Sequence, residues 1–130
     1  MTTLTSMMTA TNLEVHPSKI HGNGVFATRP ISPGQIIFST TDFTILPQAA
    51  HGTVQRCPTE HVFEPDILRW VNHSCRRNAE VRFIGDEAQI ASVAEMQPGE
   101  EVVCDYMCTE DSIPIPFRCN CGHCSGVMIG

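Results

Sequence analysis

The chain reads as a mainly β domain. Two observations carry this. Apolar stretches are short, four to six residues, and Gly- or Pro-containing turns separate them. One segment alone has the length and apolar content for a helix, and it is short. Many brief strands at close spacing with little helical period place a chain in the mainly β class. The pattern does not give the strand order.

The elements follow in order. Residues 1–11 are rich in Thr and Met, lack a period and read as a loose N-terminal arm. Leu13 and Val15 alternate with polar neighbours and suggest a strand. His21-Gly22-Asn23-Gly24 is a turn, and Val25-Phe26-Ala27 continues as a strand. Ser32-Pro33-Gly34 is another turn, followed by strands over 35–39 and 43–46. The one predicted helix spans 64–71, with Pro65 suited to its first turn. Residues 79–84 and 88–93 flank Gly85-Asp86 and predict a hairpin with a slightly longer turn. Pro98-Gly99 turns into a last strand over 101–106.

The composition narrows the function. At 130 residues one domain is expected, and 42% hydrophobic against 17% charged residues is a globular balance rather than a disordered one. The formal net charge of -6 argues against direct nucleic-acid binding, which demands a basic face. It suits a cationic partner such as a lysine-rich peptide, although many soluble proteins are mildly acidic. The first residues have neither a positive cluster nor a long apolar run, so neither a signal peptide nor a membrane span is expected there. With no export signal, seven cysteines suggest thiols or metal ligands in a reducing cytoplasmic setting.

Four segments carry chemistry. Gly22-Asn23-Gly24-Val25-Phe26-Ala27 can bring backbone close to a ligand, though alone it fits a plain hairpin turn better. Trp70-Val71-Asn72-His73-Ser74-Cys75-Arg76-Arg77-Asn78 sets a polar cluster behind an apolar stretch. A buried Asn and His must find partners, but one satisfied histidine in a polar loop is the simpler alternative. Gly99-Glu100-Glu101 through Asp105-Tyr106 ends on the only tyrosine of the chain, which as a strand-end residue could simply pack its ring and wet its hydroxyl. Cys119-Asn120-Cys121-Gly122-His123-Cys124 is a metal-ligand arrangement. Thiolates suit zinc, and three local ligands imply a fourth from elsewhere; three free thiols in a tail are the alternative.

Taken in order, these segments resemble the SET-domain family. Gly22-x-Gly24-x-Phe26 is similar to its cofactor loop, Asn72-His73-Ser74-Cys75 with Asn78 to its N-H-S-C-x-P-N segment, and Gly99-Glu100-Glu101 through Asp105-Tyr106 to its G-E-E-L-x-x-D-Y segment. Cys119-x-Cys121-Gly122 with Cys124 is similar to its post-SET tail. The likeness runs from about Leu13 to Gly130 and is greatest to minimal single-domain bacterial members. It implies a SET domain over 12–109 and a post-SET zinc tail over 110–130. It also implies several short curled sheets with a knot-like crossing at the active site.

The activity implied is S-adenosylmethionine-dependent N-methyl transfer, with a protein lysine ε-amine as the expected acceptor. Gly22, Asn23, Gly24, Val25, Asn72, His73 and Tyr106 would bind the cofactor, with Phe117 packing near its adenine. Tyr106 would be catalytic, Cys104 would line the substrate channel, and Cys75, Cys119, Cys121 and Cys124 would hold zinc. A second copy of the chain is a candidate partner; a membrane is not.

Three positions depart from the family pattern. Arg77 replaces its Pro. The cysteine tail is two residues shorter than usual, which leaves His123 and Cys108 as substitute ligands. Cys104 stands where Phe or Tyr usually sets how many methyl groups fit, so the channel is expected to be wide. Two further readings stay open: the same scaffold acting on a free amino acid or small amine, and a non-catalytic binding module.

Overall fold

The computed structural model describes residues 12–106, together with the backbone strands Met8–Thr9, Phe117–Arg118 and Met128–Ile129. Strands dominate it, as the sequence predicts. Within the expected N-terminal arm, β1 (Met8–Thr9) pairs antiparallel with β4 (Ile36–Thr40). That sheet continues through β10 (Glu87–Ser92) to β9 (Ala79–Ile84). Here the predicted hairpin is tighter than expected. Ile84 pairs directly with Glu87, leaving Gly85 and Asp86 as a two-residue turn. Gly85 has φ +59, which glycine adopts without strain.

A second sheet holds β2 (Leu13–Pro17), β3 (Asn23–Ala27), β11 (Glu101–Cys104) and β8 (Asn72–His73), in that order. The third joins β5 (Thr44–Leu46), β7 (Glu60–Phe63) and β6 (Val54–Cys57). β12 (Phe117–Arg118) pairs with β13 (Met128–Ile129). The core lies where the first two sheets meet, around fully buried Val25, Phe38, Ile90 and Val102. Among the described residues no helix is long and apolar enough to cross a membrane.

The predicted helix over 64–71 shrinks to a single 3-10 turn, Leu68–Trp70. The cause is Glu64, which is 1% exposed. Its carboxylate accepts the backbone N–H of Asp66, Ile67 and Leu68, each at 2.8 Å. Those donors are thereby satisfied by a side chain, and Val71 already turns extended at φ -72, ψ 116 to lead into β8. Removing the carboxylate would orphan buried donors. Glu64→Ala is therefore expected to cost about 3 kcal/mol, read as a lower urea midpoint. An unchanged midpoint would show that packing of Ile67 and Leu68 alone holds the turn.

Candidate active site

The site is built where two distant segments meet. β8 and β11 run parallel, with Val103 opposite Asn72 and Cys104 opposite His73. Ser74 continues the contact by donating its N–H to Cys104 O at 3.0 Å. Asn78 then secures the far side. Its Oδ1 accepts Val103 N–H at 2.9 Å, and its Nδ2 donates to Glu101 O at 2.8 Å. The two segments are thus joined by main chain and side chains alike. Arg77, at the position of the family's Pro, is exposed and lies 3.5 Å from Glu80.

Asn72 is 7% exposed and faces the glycine loop. Its Nδ2 lies 3.1 Å from His21 O, 3.1 Å from Asn23 O and 2.9 Å from Glu101 Oε2, so two protons serve three acceptors. The side chain thus shapes the inner side of the loop. His21, Gly22 and Asn23 are exposed on the outer side, with Gly22 at φ +47. Gly24 is buried, and a Cβ there would lie 2.2 Å from Glu101 Oε2. Val25 is fully buried and paired on both sides, with Val15 and with Val102, so it supports the loop from the core.

His73 organises Tyr106. The buried imidazole accepts Tyr106 N–H at Nδ1, 3.0 Å away, which puts its own proton on Nε2. Nε2 lies 3.7 Å from Cys75 Sγ. Burial lowers the His73 pKa below 6.5, and the Asp105 carboxylate, 3.6 Å from Nδ1, offsets part of that. The neutral ring can therefore keep accepting. The Tyr106 ring packs edge-on against it, centroids 5.2 Å apart. At the other end Tyr106 Oη donates to Val71 O at 2.8 Å. The half-buried phenol is thus oriented at both ends.

Cys104 is 5% exposed and packs with the core, two residues before Tyr106. Cys75 is exposed. Cys108, Cys119, Cys121, His123 and Cys124 lie outside the described residues, as does the side chain of Phe117, whose backbone pairs with Ile129. Among the described residues no three His, Cys, Asp or Glu side chains are grouped to hold a metal. The sequence motifs assign no role to Ser18, Glu101 or the Val71 carbonyl. The glutamate pair after Gly99 was the available signal for Glu101; nothing marks Ser18.

The family profile described as "SET domain" matches residues 22–107, from the glycine loop to just past Tyr106. The chain belongs to the SET-domain family. This SET domain is 26% identical over 137 residues to the histone-lysine N-methyltransferase, H3 lysine-4 specific, of Schizosaccharomyces pombe, covering 89% of this chain and 15% of that protein. It is 26% identical over 132 residues to the histone-lysine N-methyltransferase SETD1B of Homo sapiens, covering 85% of this chain and 7% of that protein. Against the histone-lysine N-methyltransferase 2B of Homo sapiens, identity is 25% over 141 residues, covering 83% of this chain and 5% of that protein. The SET domain therefore spans 15% or less of the length of these relatives.

Proposed function

We propose that this SET domain is an S-adenosylmethionine-dependent N-methyltransferase whose acceptor is a lysine ε-amine on a protein. The observation that carries the reading is the joint placement of the Asn72-braced loop and the His73-oriented Tyr106 on the paired strands β8 and β11. The names of the relatives favour lysine as acceptor. A net charge of -6 suits a basic peptide.

The residues present fit the cofactor. An exposed glycine-containing backbone stretch, His21 to Asn23, is held by Asn72, and the preceding residue, Val71, accepts the hydroxyl of the half-buried Tyr106; Gly22 adds no bulky side chain there. Such a surface can meet a ligand through its main chain. S-adenosylmethionine supplies a methyl group on a sulfonium, open to in-line attack by a neutral amine. The protein holds the reactants aligned, and alignment supplies much of the acceleration. The Tyr106 hydroxyl orients the amine, and desolvation beside the sulfonium keeps the amine deprotonated without a dedicated base.

The test is methyl transfer from labelled S-adenosylmethionine to histone peptides and to free amines. Transfer to peptides supports the reading. Transfer to small amines alone would favour the second reading, which the small Cys104 motivates. Binding of the methyl donor with no transfer would mark a binding module.

Cys104 sets the room near the amine in this reading. Cys104→Phe is expected to shift products toward fewer methyl groups, as seen by mass spectrometry of the peptide. A product ratio indifferent to this change would place the channel elsewhere.

Zinc belongs to the same proposal. Cys119, Cys121, Cys124 and Cys75 would supply the four thiolates that a structural zinc takes. Metal analysis is expected to find one zinc per chain, and Cys119→Ser should lower both zinc content and thermal stability. Metal-free protein of unaltered stability would exclude the site.

A further inference from the structure

We infer that Glu101 is a positioning residue whose carboxylate locks the methyl-donor loop; this rests on the methyl-donor site proposed above. Both carboxylate oxygens face that loop. Ser18 Oγ donates to Glu101, 2.8 Å from Oε1 and 3.0 Å from Oε2. Asn72 Nδ2 lies 2.9 Å from Oε2. Gly24, which would place a Cβ 2.2 Å from the same oxygen, closes the third side.

Ser18 in turn sets the loop backbone. Its Oγ accepts Ile20 N–H at 2.9 Å, and its N–H donates to Gly22 O at 2.7 Å. Asn72 completes the lock by reaching the carbonyls of His21 and Asn23. One carboxylate thus fixes, through a hydroxyl and an amide, both ends of the stretch whose main chain would meet the methyl donor. Among the described residues no Lys or Arg forms an ion pair with Glu101, so its recorded partners are these two neutral donors.

The neighbouring Glu100 has a different task. It is exposed, accepts Gln97 N–H at 3.1 Å and lies 3.3 Å from Asn78 Nδ2, stabilising the turn before β11. The pair Glu100-Glu101 therefore divides into a turn residue and a loop lock. Because Glu101 opens β11, it also ties the donor loop to the strand that ends two residues before Tyr106.

Preorganising a binding loop acts on affinity more than on the chemical step. Calorimetry with S-adenosylmethionine, paired with steady-state kinetics on the peptide, separates the two. Glu101→Ala is expected to raise the donor Kd and KM on the order of tenfold, with kcat at saturating donor little changed. Glu101→Gln keeps one acceptor oxygen and should fall between the two. Glu14→Ala, on the exposed edge strand β2, serves as a charge control with unaltered Kd. If wild-type protein fails to bind the donor at all, the functional reading fails before Glu101 is tested. If wild type binds and Glu101→Ala binds equally well, or loses kcat at unaltered KM, the positioning role is overturned. Should Glu101→Ala fail to fold, Ser18→Ala removes one arm of the lock. It is expected to raise the donor Kd, and an unchanged Kd would overturn the inference.

Discussion

Replacing Tyr106 by Phe is expected to lower turnover on the order of 100-fold while leaving S-adenosylmethionine affinity nearly unaltered. The substitution removes one oxygen and keeps the contacts with His73 that position the ring. The Tyr106 N–H to His73 Nδ1 bond involves main chain, and the edge-on contact at 5.2 Å involves the ring alone. Only the hydroxyl, donating to Val71 O at 2.8 Å, disappears. In the proposed reaction that hydroxyl acts on the amine and the transferred methyl group, so its loss falls on the transition state rather than on ground-state binding. Single-turnover methyl transfer with donor in excess isolates this step. Full turnover in Tyr106→Phe would reduce Tyr106 to a packing residue.

Gly24→Ala is the second substitution with a large expected effect, and its cause is space. Gly24 has no left-handed φ, so alanine would suit its backbone. The added Cβ would lie 2.2 Å from Glu101 Oε2, 2.8 Å from its Cδ and 3.1 Å from Ser18 Cβ. Either the carboxylate leaves Asn72 and Ser18, or β3 moves away from β11. We expect a stability loss of about 3 kcal/mol by urea denaturation and no measurable binding of the methyl donor. Combining Gly24→Ala with Glu101→Ala removes the clash with the carboxylate and should restore most of the stability, with donor binding returning only to the weakened level of Glu101→Ala. Additive losses in the double variant would mean that the clash is relieved elsewhere.

The sequence made the site more legible than the sheet that carries it. Gly22, Gly24, Asn72, His73 and Tyr106 stand out because each is a residue type with few reasons to sit beside apolar strands, and the structure brings all five to the contact of β3, β8 and β11. Less legible were β6 and β7. There Gln55 and His61 are buried at 8% and 7%, so the alternation that signals a strand is broken on both members of the pair. A register shift between Gln55 and Cys57 breaks it further. β8 is two residues long, and its parallel partner lies far along the chain, so no local period announces it. The helix over 64–71 misled because Glu64 and Pro65 resemble a helix start, whereas the carboxylate folds onto its own downstream amides. Ser18 had no signal, since its importance depends on Glu101 coming alongside.

The pairing of Val25 with Val102, and of Asn72 with Val103, also has a kinetic side. β2 and β3 can form their hairpin as soon as they are made, but the strand that completes their sheet comes only near residue 101. Contacts of such separation raise contact order, and domains rich in them fold slowly. During synthesis the hairpin must therefore wait, one edge uncovered, for almost the whole domain to emerge. A ligand that bridges the loop and β11 would favour the late closed state, so the methyl donor is expected to speed productive folding or slow unfolding as well as serve the reaction.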